Sequence, residues 1–153
     1  MTCDIRPAQA GDAADISRVI IRALRETNAK DYTPDIIARV ELSFSSAAVE
    51  RLIDQRDVFV AEMDNRVVGT ASLDGQTLRT MFVLPDVQGR GIGRLLVQRI
   101  ERVARERQLG ILTVPATVTA EAFYARLGFT AVREAYHGEE RTIVMERVLS
   151  PTN

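Results

Sequence analysis

A single cysteine, Cys3, is the whole thiol content of this 153-residue chain. No internal disulfide can form, and a reducing, cytoplasmic setting is expected. Cys3 lies near a terminus with no evident base beside it and reads as an inert thiol. Long hydrophobic runs are missing too. Nothing approaches the roughly 20 residues of a membrane span, and Met1 to Ala10 lacks the form of a signal peptide. Charge of one sign is absent, since 20 basic and 21 acidic residues leave a net charge of −1. Neither nucleic acid nor a membrane is therefore expected as a partner. No repeat, low-complexity tract or metal site is expected, and residues 1–153 read as one domain. A chain of this length can bury roughly 70% of its unfolded surface. Apolar residues at 46% and charged residues at 27% suit an ordinary soluble protein.

What the chain does contain is a corner at Val83 to Val97, Val-Leu-Pro-Asp-Val-Gln-Gly-Arg-Gly-Ile-Gly-Arg-Leu-Leu-Val. An apolar run ends at Pro85, Gly89, Gly91 and Gly93 follow at every second position, and a helical pattern starts at once. Glycine removes the Cβ atoms that would keep a ligand off the backbone and permits positive φ. The helix that opens there points unpaired N–H groups and its positive dipole end at the same spot. Such a corner suits a phosphate or diphosphate. It is neither Gly-x-x-x-x-Gly-Lys-Ser/Thr nor Gly-x-Gly-x-x-Gly.

The rest of the chain alternates. Cys3 to Pro7 reads as a strand. Asp12 stands as N-cap to a helix whose core face is Ile16, Val19, Ile20 and Leu24. Glu26 to Tyr32 is a polar loop, Thr33-Pro34 starts a second helix, and Ser45 or Ser46 starts a third that runs to about Gln55. Val58–Met63 and Arg66–Leu73 form a hairpin about Asp64-Asn65, and Asp74-Gly75 leads to a strand over Thr77–Leu84. In the helix after the glycine corner, Ile92, Leu95, Leu96, Ile100 and Val103 mark the core face. Arg99, Glu101, Arg102, Arg105, Glu106 and Arg107 mark the wet side. Ile111–Val114 is a strand, Thr119–Leu127 a helix stopped by Gly128, and Phe129–Tyr136 with Arg141–Leu149 a final hairpin. The class is α/β (mixed α+β) around one sheet, with Thr77–Val114 a parallel crossover.

Gln88-x-x-Gly91-x-Gly93 directly after a strand resembles the diphosphate-binding motif of the GNAT superfamily, the acetyl-CoA-dependent N-acetyltransferases. Ile5-Arg6-Pro7-Ala8 with Gly11-Asp12-Ala13 resembles their opening strand and helix. Ala120-Glu121-Ala122-Phe123-Tyr124-Ala125-Arg126-Leu127-Gly128-Phe129 resembles their second diagnostic segment. The resemblance covers nearly the whole chain in the right order of elements. It implies a single mixed sheet, mostly antiparallel with one splayed parallel pair, flanked by helices on both faces. Acetyl-CoA would lie in the splay as cosubstrate.

The same resemblance implies residue roles. Met81, Phe82 and Val83 would align the cofactor arm through their backbone, with the Met81 amide as oxyanion donor. Gln88 and the amides of Gly89, Arg90, Gly91, Ile92, Gly93 and Arg94 would hold the diphosphate, Arg90 or Arg94 adding charge. Tyr124 would be the general acid that protonates the leaving thiolate. An amine of lysine type, with a pKa near 10.4, must also lose a proton. Many relatives use a glutamate on the strand before the turn, but Thr77-Leu78-Arg79-Thr80 has no carboxylate. The base is left open among Glu62, His137 (the only histidine) and a water relay. Asp31 and Tyr32 could orient the acceptor, a small-molecule or peptide amine. Association into a homodimer is left open. Two other readings stand beside the acetyltransferase: a non-catalytic acyl-CoA-binding regulatory module, and a nucleotide-binding domain using the glycine corner alone.

Overall fold

The computed structural model describes residues 2–26, 33–137 and 140–149. Asp31 and Tyr32, proposed to orient the acceptor, lie outside the described residues, and so does the side chain of His137. Strands are β1 (Cys3–Pro7), β2 (Asp57–Met63), β3 (Arg66–Asp74), β4 (Thr77–Val83), β5 (Ile111–Thr117), β6 (Thr130–His137) and β7 (Glu140–Val148). Helices are α1 (Ala13–Glu26), α2 (Pro34–Leu42), α3 (Ser46–Gln55), α4 (Ile92–Glu106) and α5 (Glu121–Arg126). The seven strands form one sheet in the order β1-β2-β3-β4-β5-β7-β6. Every neighbouring pair is antiparallel except β4 with β5. Among the described residues, no helix is long and apolar enough to cross a membrane.

Local chemistry accounts for most boundaries. Asp64 and Asn65 both take positive φ, 53° and 62°, which closes the β2–β3 hairpin with residues that tolerate that region. The hydroxyls of Thr33 and Ser45 accept from the amides of Ile36 and Ala48 at 3.3 and 3.2 Å and start α2 and α3. Asp12 acts one turn later than an N-cap. It ends a single 3-10 turn over Ala10–Asp12, where its carboxylate accepts from the Gln9 amide at 2.7 Å, and α1 begins at Ala13.

Helices cover both faces. Both α1 and α4 pack on β3 and β4 but not on one another, so they lie on opposite sides, with α2 and α3 beside α1. The core is Ile16, Val19, Ile20 and Leu24 on one side and Ile92, Leu96 and Ile100 on the other, against Val60, Val68, Leu73 and Leu78. Two expectations for α4 are corrected. Leu95 is 38% exposed, and Val97 takes the place expected for it in the core. Glu101 is buried, not wet, and is ion-paired to Arg147 of β7 and, at 3.7 Å, to Arg105. The Glu101–Arg147 pair joins α4 to β7.

The strand after α4 is also longer than expected. It continues through Pro115 to Thr117. The parallel ladder of β4 with β5 consists of the single pair Thr77 and Thr113. From there β5 is paired only to β7, so locally it is an edge strand, where proline is tolerated. The two strands therefore part toward the glycine corner.

Arg6 ties β1 to this frame through Asp12 at 2.9 Å and Glu62 at 2.9 Å. The Arg6 guanidinium, helped by the Gln9 amide and opposed by burial, holds the Asp12 carboxyl below the usual carboxylate range. A carboxyl depressed in the folded state contributes stability above its unfolded pKa, and that contribution is lost as pH falls through the folded value. Asp12→Asn should therefore lower stability at neutral pH by about 1–2 kcal/mol. In urea unfolding, the gap from wild type should close as pH drops below about 4.

Candidate active site

The parting strands open a cavity of about 950 Å³ between them. On one side it is bounded by α4 and α5, and on the other it reaches Ala23 of α1. The floor between α4 and α5 carries Gln98, Glu101, Arg126 and Arg147.

The glycine corner forms one wall. Pro85–Val87 makes a single 3-10 turn, and the Gln88 side-chain amide donates to the Val83 carbonyl at 3.3 Å, tying the turn to the end of β4. Gly91 precedes α4 as its N-cap with φ of +79° and, as a glycine, brings no side chain to the first amides of the helix. A Cβ at Gly91 would meet nothing within 4 Å. The glycine is needed there for its conformation and for the open space in front of it. Gly93 is needed for a different reason. A Cβ there would lie 3.0 Å from Cζ of Phe123 and 3.7 Å from Cε of Met81. Its bareness lets α5, α4 and β4 close around the cavity.

Of the residues proposed for the cofactor, Met81, Phe82, Val83, Gln88, Gly89, Gly91, Ile92, Gly93 and Arg94 all line this cavity. Arg90 is not among its lining residues. Tyr124, the proposed acid, lines it too and is 3% exposed. Its ring is held edge-on between Phe123 and Phe129, with centroids 5.1 and 5.5 Å away. Burial pushes the phenol's pKa up, so the group stays protonated.

Glu62 is a correction. It stands on β2, paired with Asp4 of β1, and its carboxylate accepts from Arg6 at 2.9 Å. It does not line the cavity. Two strands separate it from β5 and an arginine already holds its charge, so the structure does not bring it to Tyr124 as a base. Among the described residues, no group of His, Cys, Asp or Glu side chains is arranged to hold a metal ion. Sequence reasoning missed Ala23, Val114, Glu101 and Arg147 as cavity residues. One local signal was available: Pro115 inside an apolar strand run announces a missing neighbour.

A family model described as an acetyltransferase (GNAT) domain matches residues 28–145. The uncharacterised N-acetyltransferase YafP of Escherichia coli is 30% identical over 130 residues, covering 85% of this chain and 83% of that protein. The crystal structure of a GCN5-related N-acetyltransferase from Rhodopseudomonas palustris superposes with a TM-score of 0.91 at 26% identity, over 97% of each chain. YncA from Salmonella typhimurium, whose structure holds its cofactor acetyl-CoA, matches with a TM-score of 0.67 at 26% identity. That match covers 100% of this chain and 97% of the other.

The close approach at Gly93 can be tested directly. Gly93→Val should push the Phe123 ring aside and lower stability by about 1–3 kcal/mol. Measured by urea unfolding, the same change should cost less in a Phe123→Ala background.

Proposed function

This chain belongs to the GNAT acetyltransferases, and from that membership we propose that it moves an acetyl group from acetyl-CoA to a primary amine by direct attack. The acceptor in this reading is a small molecule or a peptide, and the enzyme is a single-domain cytoplasmic one. The observation that carries the proposal is the cavity at the parting of β4 from β5, lined by the glycine corner, α4 and α5 and reaching Ala23 of α1. Donor and acceptor can meet in the gap without a covalent relay on the protein.

The residues suit acetyl-CoA on chemical grounds. The first amides of α4 and the open space before Gly91 match a diphosphate, and Arg94 in the first turn adds a cation. The parted strands offer peptide groups to an extended amide-bearing arm. Acetyl-CoA supplies the acetyl group as an activated thioester. In our reading the Met81 amide donates to the thioester oxygen as that oxygen gains charge. The phenol of Tyr124 gives its proton to the departing sulfur, whose thiol has a pKa of roughly 8.5 if it behaves like cysteine. The amine must reach the gap uncharged.

Calorimetry should show acetyl-CoA and CoA binding and ATP failing to bind, since ATP lacks the arm that fills the gap. A panel of amines with thiol-release detection should then identify an acceptor; release with none of them would favour a regulatory acyl-CoA-binding module. Tyr124→Phe should lower kcat about a hundredfold while leaving acetyl-CoA affinity unchanged. Because burial raises the Tyr124 pKa, the alkaline fall in kcat caused by losing this acid should lie above the ordinary tyrosine value of about 10. Gly91→Asp should abolish acetyl-CoA binding, because it sets a carboxylate against the diphosphate and strains a left-handed position.

A further inference from the structure

Thr80 has a φ of +57°, a region that β-branched residues avoid. The cause is a bulge in β4. Thr70 pairs with Phe82 and Ser72 with Arg79, so Thr80 and Met81 together stand opposite the one residue Ala71. The extra residue resets the phase of the strand. Met81 reaches toward Gly93 of α4, while Phe82 packs edge-on against Phe44 on the other face, with centroids 6.3 Å apart.

One guanidinium spans this bulge. Arg56, the residue after α3, donates through Nη1 to the Thr80 hydroxyl at 3.2 Å and to the Ser72 hydroxyl at 3.5 Å. Ser72 in turn donates to the Arg79 carbonyl at 3.0 Å. Asp74 lies 3.7 Å from Nε of Arg56 and 3.4 Å from Nε of Arg79. Burial works against the Arg56 charge, and Asp74 offsets it. Thr80 is half-buried and stands between the large cavity and a second void of about 10 Å³ lined by Ile16, Ile20 and Val49.

We propose that Arg56 is a positioning residue for acetyl transfer: by clamping Thr80 it aims the Met81 amide into the gap between β4 and β5. The inference rests on the reading of Met81 as oxyanion donor. Beyond its one pair with β5, β4 is held in the sheet by β3 alone, and the bulge interrupts that ladder next to Met81. An oxyanion donor works by being fixed before charge develops. A small displacement of it lowers rate more than it lowers binding.

The test uses Arg56→Met, which removes the clamp at similar bulk; Thr80→Val, which removes its acceptor; and Arg56→Lys, which keeps a charged donor. Circular-dichroism melting first establishes that each variant is folded, and Thr80→Val serves if Arg56→Met is not. Each disabling change should lower kcat about tenfold or more with the acetyl-CoA dissociation constant unchanged, and Arg56→Lys should recover part of the loss. The double variant should be no slower than the slower single one, because both remove the same clamp. Wild-type kcat in folded Arg56→Met, or losses that multiply in the double variant, would overturn the proposal. A second arm does not depend on finding an acceptor. With acetyl-CoA labelled at the thioester carbonyl, the carbonyl carbon resonance should move downfield on binding wild-type protein and move less on binding Arg56→Met. Equal shifts in the two proteins, or no shift in either, would overturn the clamp. Failure to acetylate any amine while the shifts differ would overturn the transfer reading and leave the clamp standing.

Discussion

The parting of β4 from β5 is the constraint on which the molecule depends. A sheet interior ordinarily leaves no peptide group unpaired, because a buried amide without a partner costs about as much as a lost hydrogen bond. Here one pair, Thr77 with Thr113, joins two antiparallel blocks. On one side β1 to β4 form an antiparallel block, and on the other β5, β7 and β6 form a second. The helices keep the blocks together. Packing of α1 and α4 on β3 and β4 from opposite faces holds one bank of the gap, and the Glu101–Arg147 ion pair joins α4 to the other. Backbone groups that a sheet would consume are left facing a cavity, where a ligand can use them.

That cavity is graded in polarity, and the gradient sorts its chemistry. Where α4 begins, bare amides, Arg94 and open space suit a hydrated anion. Further in, Tyr124 is enclosed by Phe123 and Phe129, and burial keeps its phenol neutral. In the proposed reading, a charged group at the mouth and a proton donor farther in serve different portions of one extended ligand. The glycines divide the same labour. Gly91 supplies a left-handed turn, whereas Gly93 supplies clearance for the Phe123 ring.

Burial of Glu101 shows how two charged residues can close a helix against a strand. Taking a carboxylate out of water is costly unless it is paired. Arg147 and Arg105 supply the pairing, and the pair forms part of the floor between α4 and α5. Arg6 does comparable work at the far edge of the sheet, joining β1, the entry to α1, and β2 through Asp12 and Glu62.

By itself the sequence determined whatever depends on neighbours along the chain. Hairpin turns at Asp64-Asn65, caps at Thr33 and Ser45, and the strand–glycine–helix corner from Thr77 to Glu106 are local chemistry, and their boundaries fall within about two residues of expectation. Of the candidate site, Gln88, Gly89, Gly91, Ile92, Gly93 and Tyr124 line the cavity and belong to short segments legible along the chain, whereas Arg90 of the same segment does not line it. Only the tertiary structure decided what depends on contacts far along the chain. Glu101 is buried because an arginine 46 residues away meets it. Glu62 is withheld from the cavity because Arg6, 56 residues earlier, claims it. Pro115 can sit inside a strand because β4 has already turned away, and Thr80 takes a left-handed conformation because β3 offers one residue against two. Side-chain type and periodicity encode which face of an element prefers water; pairing and register, which set where the strands part, arise only when elements distant in the chain meet.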